Sequence, residues 1–340
     1  MSTRSILVVG AGFSGAVVAR ELADRGLQVE VIDQKDHVAG HAYDYTNHLG
    51  IRVHKFGPHL FHTSNQKVVD WLSRFTEWIP YQHKVKAMLA DGRLVTLPVN
   101  AETQQIVGEE NVLDVFFRPY TRKMWGKELE ELDPSIINRV PIRNDLNDLY
   151  FPNDSFQALP RNGYTRLMEN ILDHPNIRVT LNTKYQHSDS NGFSHTYNSM
   201  PIDEYFDFRY GDLPYRSIKF HTLDIAAPRC YPVPSINFTH DGPHTRLTEW
   251  KNLPGHGEHP HMTTLTFEEP CDYKDNDMQR YYPVKDISGK NVALYKRYRA
   301  ETPEHMTFIG RCGMYVYIDM HQAVSSALRT ASSNHYANCH

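Results

Sequence analysis

Near its start the chain carries an apolar run, Ser5–Val9, that ends in Gly10-Ala11-Gly12-Phe13-Ser14-Gly15 and passes into good helix formers over Ala16–Ala23. The order reads as strand, tight turn and helix. Gly26 stands where the helix should stop, and Val29–Ile32 reads as a second buried strand closing with Asp33. Such a β-α-β unit suits a diphosphate: glycine permits the turn, missing β-carbons let the ligand reach the amide groups, and the helix N-terminus favours negative charge. Asp33 can then accept hydrogen bonds from ribose hydroxyls. These spacings predict a dinucleotide-binding architecture. The bland alternative is a domain that kept the shape and lost the ligand.

Further on, the periodicity changes. Lys84–Leu89 and Arg93–Leu97 flank Asp91-Gly92, a pair that tolerates positive φ, and predict a hairpin opening an antiparallel sheet. Between Asn100 and Arg139, residues Val112, Val115, Phe116 and Tyr120 fall on one helical face, so a small helical insertion is expected. A helix over Tyr164–Leu172, a strand over Ile177–Leu181 and a polar loop over Gln186–Asn191 come next. From Tyr205 to Tyr282 aromatic, proline and threonine residues alternate with turn signals, as in an antiparallel sheet, and the chain ends on a strand, Met306–Gly310, and a helix, Met320–Ala331. The fold class is therefore α/β. Its expected parts are a Rossmann-like nucleotide-binding domain (1–80, 177–204 and 295–340), an antiparallel sheet or substrate domain (81–97, 151–176 and 205–294) and a helical insertion (98–150).

A chain of 340 residues, 40% hydrophobic and 22% charged without blocks of like charge, has the make-up of an ordinary globular protein of two domains. Its net charge of -4 argues against a nucleic-acid binder, which needs a basic surface. Cys230, Cys271, Cys312 and Cys339 show no Cys-x-x-Cys spacing, so neither a zinc ribbon nor a redox motif is indicated and a reducing compartment fits. Ser5–Val9 is too short for a secretory signal or a membrane span. A cytoplasmic protein with no nucleic-acid or membrane partner is expected.

Two further clusters stand out. Gly57-Pro58-His59-Leu60-Phe61-His62-Thr63, with His54 upstream, forms a loop rich in rings. Its three imidazoles could ligate a metal, but packing against a ligand is the stronger reading. The second sets arginines beside aromatics: Tyr120, Trp125, Arg139, Arg143, Tyr150, Arg216, Arg246 and Tyr281-Tyr282. Singly these are surface ion pairs or core rings; together they suit a sugar diphosphate, gripped by guanidinium groups and covered by ring faces.

In motif order, GAGFSGAVVAREL, VIDQKDHVAG, AYDY, VHKFGPHLFHT, YTRKMWG, RVPIRNDLNDLYF, LPRNGYT, YRSIKF, HTRLTE, YYPV and GRCGMYVYIDM, the chain resembles the UDP-galactopyranose mutase family over nearly its whole length. The resemblance implies an isomerase that interconverts pyranose and furanose forms of a nucleotide-linked galactose. There a reduced flavin (FAD) attacks the anomeric carbon, the diphosphate leaves, and the ring opens and recloses through the other hydroxyl without net redox change. By motif, Arg139, on a mobile segment, and Arg246 would hold the diphosphate, with Tyr150, Tyr282 and Tyr317 assisting. Phe116, Tyr120 and Trp125 would line the nucleotide and sugar, with Arg216 and Tyr281 also on the substrate side. Asn237 and His62 would lie near sugar and flavin. Gly10, Gly12, Gly15, Asp33, Gly40, His59, Arg311 and Asp319 would form the cofactor side.

Departures from the family pattern shape three further expectations. The segment from Thr103 to Phe116 is shorter than usual, which favours a purine base, GDP-galactose over UDP-galactose, and weakens the case for an inherited homodimer. Ala39-Gly40-His41 replaces Gly-Gly-Asn, Asn198-Ser199-Met200 replaces a glycine, where a β-carbon would obstruct the cofactor, and the carboxylate expected before Tyr-Tyr-Pro is replaced around Thr266–Glu268. If flavin is absent, a divalent metal (Mg or Mn, ligands unknown) on the diphosphate would assist its departure while the sugar's 4-hydroxyl attacks the anomeric carbon. The rival readings are an amine-oxidase-like flavin oxidoreductase, which has no need of Arg139 and Arg246, and a non-catalytic nucleotide-sugar binder.

Overall fold

The computed structural model describes residues 5–131 and 142–333. Strand β1 (Ser5–Val9), helix α1 (Phe13–Ala23) and strand β2 (Gln28–Ile32) form the expected unit. They belong to a five-stranded, wholly parallel sheet ordered Ile177–Thr180, β2, β1, His195–Asn198, Met306–Phe308. Both faces of β1 are buried, as crossover-built sheets require. Ile6 and Val8 pack with α1, and Leu7 and Val9 pack with Ile202, Tyr205 and Phe206 on the other side. Helix Gly163–Leu172 gives Tyr164, Leu167, Met168 and Ile171 to the α1 core, so that core draws on residues from 151–176, which the sequence division gives to the other sheet.

A seven-stranded sheet runs Tyr282–Pro283, Tyr215–Ile225, Thr263–Asp272, Arg246–Glu249, Ser235–Phe238, Val85–Met88, Leu94–Leu97. The Asp91-Gly92 hairpin forms, but its first strand pairs parallel with Ser235–Phe238, which local patterning cannot reveal. The expected loop over Gln186–Asn191 contains a 3-10 turn, His187–Ser190, closed by a Gln186/Asp189 capping box.

The helical segment departs from its simple period. Leu113–Phe117 is a π-helical turn leading into helix Arg118–Trp125. The widened turn rotates that helix relative to the residues before it. Val112 and Phe116 pack under the hairpin with Val85 and Val95, while Tyr120 joins Met124, Trp125 and Val284 in a separate cluster. No described helix is long and apolar enough to cross a membrane.

Candidate active site

The parallel sheet reverses its strand order at β1, which is hydrogen-bonded to β2 on one side and His195–Asn198 on the other, and ligands of such sheets bind beyond the strand ends at that point. A cavity of about 820 Å³ opens there. It is lined by Gly10, Gly12, Gly15, Asp33, Gly40, His41, His59, Ser199, Arg311 and Asp319 among others, and its size lies within the range of nucleotide-sized sites. Gly15 has a packing reason: a β-carbon there would come 1.9 Å from the Gly10 carbonyl oxygen. Gly12 has none, since its φ of -82° is ordinary and a β-carbon would meet no atom closer than 3.7 Å. Gly12 lines the cavity, where the missing β-carbon leaves the backbone open to a ligand. Asp33 is buried, accepting from the Ala11 N–H at 2.7 Å and the Lys35 N–H at 2.9 Å, so its carboxylate is fixed at the cavity wall. Asp319 caps helix Met320–Ser332 in a capping box with Gln322.

The residue changes expected to obstruct a flavin leave the trough open. Ser199 turns its hydroxyl back to donate to the Val9 carbonyl at 2.7 Å. His41 stacks on Tyr281, ring centroids 4.4 Å apart, and desolvation, aided by Lys35 and Arg311, holds its imidazole well below the usual histidine range. The residues present fit a flavin dinucleotide: bare glycine backbone for the diphosphate, Asp33 for the ribose, and the His41 and His59 rings all line this one cavity.

The loop carrying His59 hangs on a chain of hydrogen bonds whose tautomers are set by their partners. His256 Nδ1–H donates to the Pro254 carbonyl at 3.1 Å, and its Nε2 accepts from His54 Nε2–H at 3.0 Å. His54 Nδ1 in turn accepts the His59 backbone N–H at 3.0 Å. The Gly57 carbonyl lies 2.8 Å from His59 Nδ1, so the proton sits there and Nε2 keeps its lone pair. Burial pushes His59 down to about 4 and His256 likewise to about 4. His62 goes elsewhere, stacked 3.5 Å from Phe151 and held by Asp154 at 2.6 Å. The three imidazoles therefore do not converge on a metal.

On the seven-stranded sheet, the antiparallel register sets Asn237 opposite Arg246 and Arg246 opposite Glu268. The three side chains form a row across three strands: Arg246 Nε donates to Asn237 Oδ1 at 3.3 Å and Nη1 lies 3.6 Å from Glu268 Oε1. Glu268 is buried; burial raises its pKa and Arg246 opposes the rise. A β-carbon on Gly57 would come within 3.4 Å of Glu268 Oε1, so the row abuts the His59 loop. The expected loss of a carboxylate around Thr266–Glu268 is thus corrected: Glu268 supplies one. Only the cross-strand register shows that it faces Arg246, and no local signal in the sequence carries that fact.

Around this row stand Tyr120, Tyr150 and Tyr282, all within electrostatic reach of Arg246. Tyr282 meets Tyr317 edge-on at 5.1 Å and Trp125 at 6.4 Å. Arg311, which lines the cavity, lies over both tyrosine rings and donates to the carbonyls of Tyr281 and Ile318 at 2.8 and 2.7 Å. Two expected contacts are placed differently. Arg216 donates to the Met124 and Lys123 carbonyls at 2.7 and 3.2 Å, closing the C-terminus of helix Arg118–Trp125. Phe116 is packed in the hairpin core because the π turn carries it inward. Arg143 braces the segment before Tyr150 through the Leu149 carbonyl at 2.7 Å. Arg139 lies outside the described residues. Among the described residues the candidate metal ligands are His221, His244 and Glu269, none of them in this row, so the metal-assisted alternative gains no support.

Known proteins point the same way. A family model described as UDP-galactopyranose mutase matches residues 115–317, and one described as an NAD(P)-binding Rossmann-like domain matches residues 8–75. The chain is 33% identical to a probable UDP-galactopyranose mutase of Klebsiella pneumoniae over 97% of its own length and 94% of that protein. It is 32% identical to a dTDP-fucopyranose mutase of Escherichia coli, over 96% and 97%. A crystal structure of reduced UDP-galactopyranose mutase superposes with a TM-score of 0.77 at 16% identity, covering 98% of this chain and 94% of that one, which is a likeness of fold.

Proposed function

The chain belongs to the UDP-galactopyranose mutase family and is an isomerase of nucleotide-linked sugars, and from that premise we propose that it interconverts the pyranose and furanose forms of a nucleoside-diphosphate galactose with FAD held along the trough. What carries the reading is the Asn237–Arg246–Glu268 row, which abuts the loop whose His59 lines the glycine-walled cavity. When reduced, the flavin supplies a nucleophile for the anomeric carbon. The chain's own residues do the rest. Arg246 grips the departing diphosphate and keeps it for return, with Tyr150, Tyr282 and Tyr317 as hydroxyl donors beside it. Asn237 positions the sugar. Glu268, a carboxylate whose proton affinity is raised by burial, holds and returns a proton at the ring hydroxyls. His59 Nε2 offers an acceptor at the flavin end, and Trp125 and Tyr120 cover the substrate and exclude water. Arg139 completes the diphosphate grip in this proposal.

For the base, the shortened Thr103–Phe116 segment favours guanine, whereas relatives named for UDP and dTDP sugars favour a pyrimidine. Competition between GDP-galactose and UDP-galactose for the purified protein decides between them. The function itself is tested by the absorption spectrum together with a chromatographic mutase assay. Yellow protein whose turnover requires dithionite supports the proposal. Full turnover by colourless, metal-free protein overturns the flavin role, and turnover only with added Mg or Mn revives the metal route.

A further inference from the structure

The seven-stranded sheet has a second face. Along Thr263–Asp272 successive side chains alternate, so Glu268 points to the site and Glu269 away from it. Across the neighbouring strand Phe220 lies opposite Glu268 and His221 is the next residue along, on the side of Glu269. His244 comes from the turn that enters strand Arg246–Glu249. His221 Nε2 sits 2.7 Å from Glu269 Oε2, and one ligand atom from each of His221, His244 and Glu269 lies within 4.8 Å of the others. We propose that these three side chains form a binding site for one divalent transition ion of the zinc type, which ties together three segments of the substrate sheet on the face opposite Arg246.

Two imidazoles and a carboxylate make an N2O donor set. Zinc, cobalt and nickel accept that set, whereas magnesium and calcium require oxygen ligands. Metal–ligand bonds of about 2.0–2.2 Å place the ligand atoms of a tetrahedral ion roughly 3.3 Å apart. The cluster spans that value, one pair being closer and the outer limit wider, so modest side-chain rotations close it. His221 is exposed, which leaves a fourth position to water, as in open three-ligand sites. Two features behind the ligands fix their directions. The His244 ring packs on Phe267 at 5.3 Å. The backbone of its turn is pinned by Lys123 Nζ, which donates to the carbonyls of Phe238, His240 and His244 at 2.8, 2.8 and 3.0 Å. The alternative is an ordinary surface hydrogen bond between His221 and Glu269 with His244 merely nearby.

Untagged full-length protein, stripped with chelator and dialysed, is titrated with Co²⁺ alone while its visible absorption is monitored, and the loaded protein is then titrated with Zn²⁺. One equivalent of Co²⁺ should give a d–d band that Zn²⁺ discharges, and Zn²⁺ should raise the melting temperature while Mg²⁺ at the same concentration does not. His244→Ala and Glu269→Gln should each weaken Co²⁺ binding at least about tenfold and abolish the Zn²⁺-dependent rise. Because the chain holds 20 histidines, binding that persists unchanged in both variants would assign the ion to adventitious surface sites and overturn the proposal. So would wild-type protein that shows no d–d band at excess Co²⁺. Glu269→Gln keeps the strand's shape, and circular dichroism of both metal-free variants separates lost ligation from lost fold.

Discussion

The two ends of the active site are built by opposite means. At the proposed diphosphate end, the bare backbone of Gly10, Gly12, Gly15 and Gly40 stands beside the Asp33 carboxylate, and later segments, Arg280, Arg311 and Asp319 among them, complete the wall. At the proposed sugar end, charged and polar side chains from three strands make a row, and the backbone only sets their spacing. A cradle of amides is fixed once its turns form. A row of charges must in addition be neutralised, because each member removed leaves a partner buried and unpaired.

That asymmetry predicts where substitution hurts most. Arg246→Ala removes the grip on the leaving group and strands Glu268, so turnover should fall by about 10²–10³-fold; a loss of under tenfold in single-turnover mutase assays would show that the row is not the catalytic end. The His256–His54–His59 chain that holds the His59 loop should carry a pH signature. Folding holds the buried His256 at about 4 against the ordinary 6.5, so below pH 6.5 the unfolded chain binds the extra proton. Its contribution is complete above pH 6.5 and is lost as pH falls toward 4, on the order of 3 kcal/mol. Urea midpoints measured at pH 7, 5.5 and 4.5 should fall accordingly, and His256→Gln should flatten the slope.

Smaller effects refine the contrast. Gly12→Ala should leave the melting temperature nearly unchanged yet weaken flavin retention at least about tenfold, because its β-carbon meets the ligand and not the protein. Equal retention in fluorescence titration would deny that the cradle is a close-approach site. Arg216→Ala should cost about 1 kcal/mol of stability through the lost helix closure and change turnover by less than about threefold. A large turnover loss at unchanged stability would restore Arg216 to the substrate.

How far each end can be read from sequence depends on the same difference. Gly10 to Asp33 is a local signal: strand, turn, helix and strand lie within 33 residues, and the structure places all four as the pattern requires. The row is non-local. Asn237 comes to light only through family resemblance, Arg246 stands out as one of several arginines beside aromatics whose convergence the sequence does not show, and Glu268 stays hidden because its meaning depends on which residue it faces across a strand pair. Arg216 reads as a substrate-side guanidinium since its acceptors, the carbonyls of Lys123 and Met124, are more than ninety residues upstream. Phe116 is misdirected by a single widened turn, which a 3.6-residue period cannot anticipate. Ser199 illustrates a further limit: the sequence shows a β-carbon where glycine is expected, but not that the hydroxyl folds back onto Val9.

The strand order of the parallel sheet also sets a timetable. Its neighbours in space enter the chain at residues 177, 28, 5, 195 and 306, so β1, made first, cannot be flanked on its second side until His195–Asn198 exists. The edge strand Met306–Phe308 and the Met320–Ser332 helix on α1 arrive last of all. Pairings of such long sequence separation form slowly, after their loop entropy is spent. During synthesis the glycine turn therefore waits without the wall formed by Gly310, Arg311 and Asp319 until those residues have been made. A nascent chain not yet extended past residue 306 carries the glycine turn and Asp33 but lacks Gly310, Arg311, Ile318 and Asp319, which wall the same cavity.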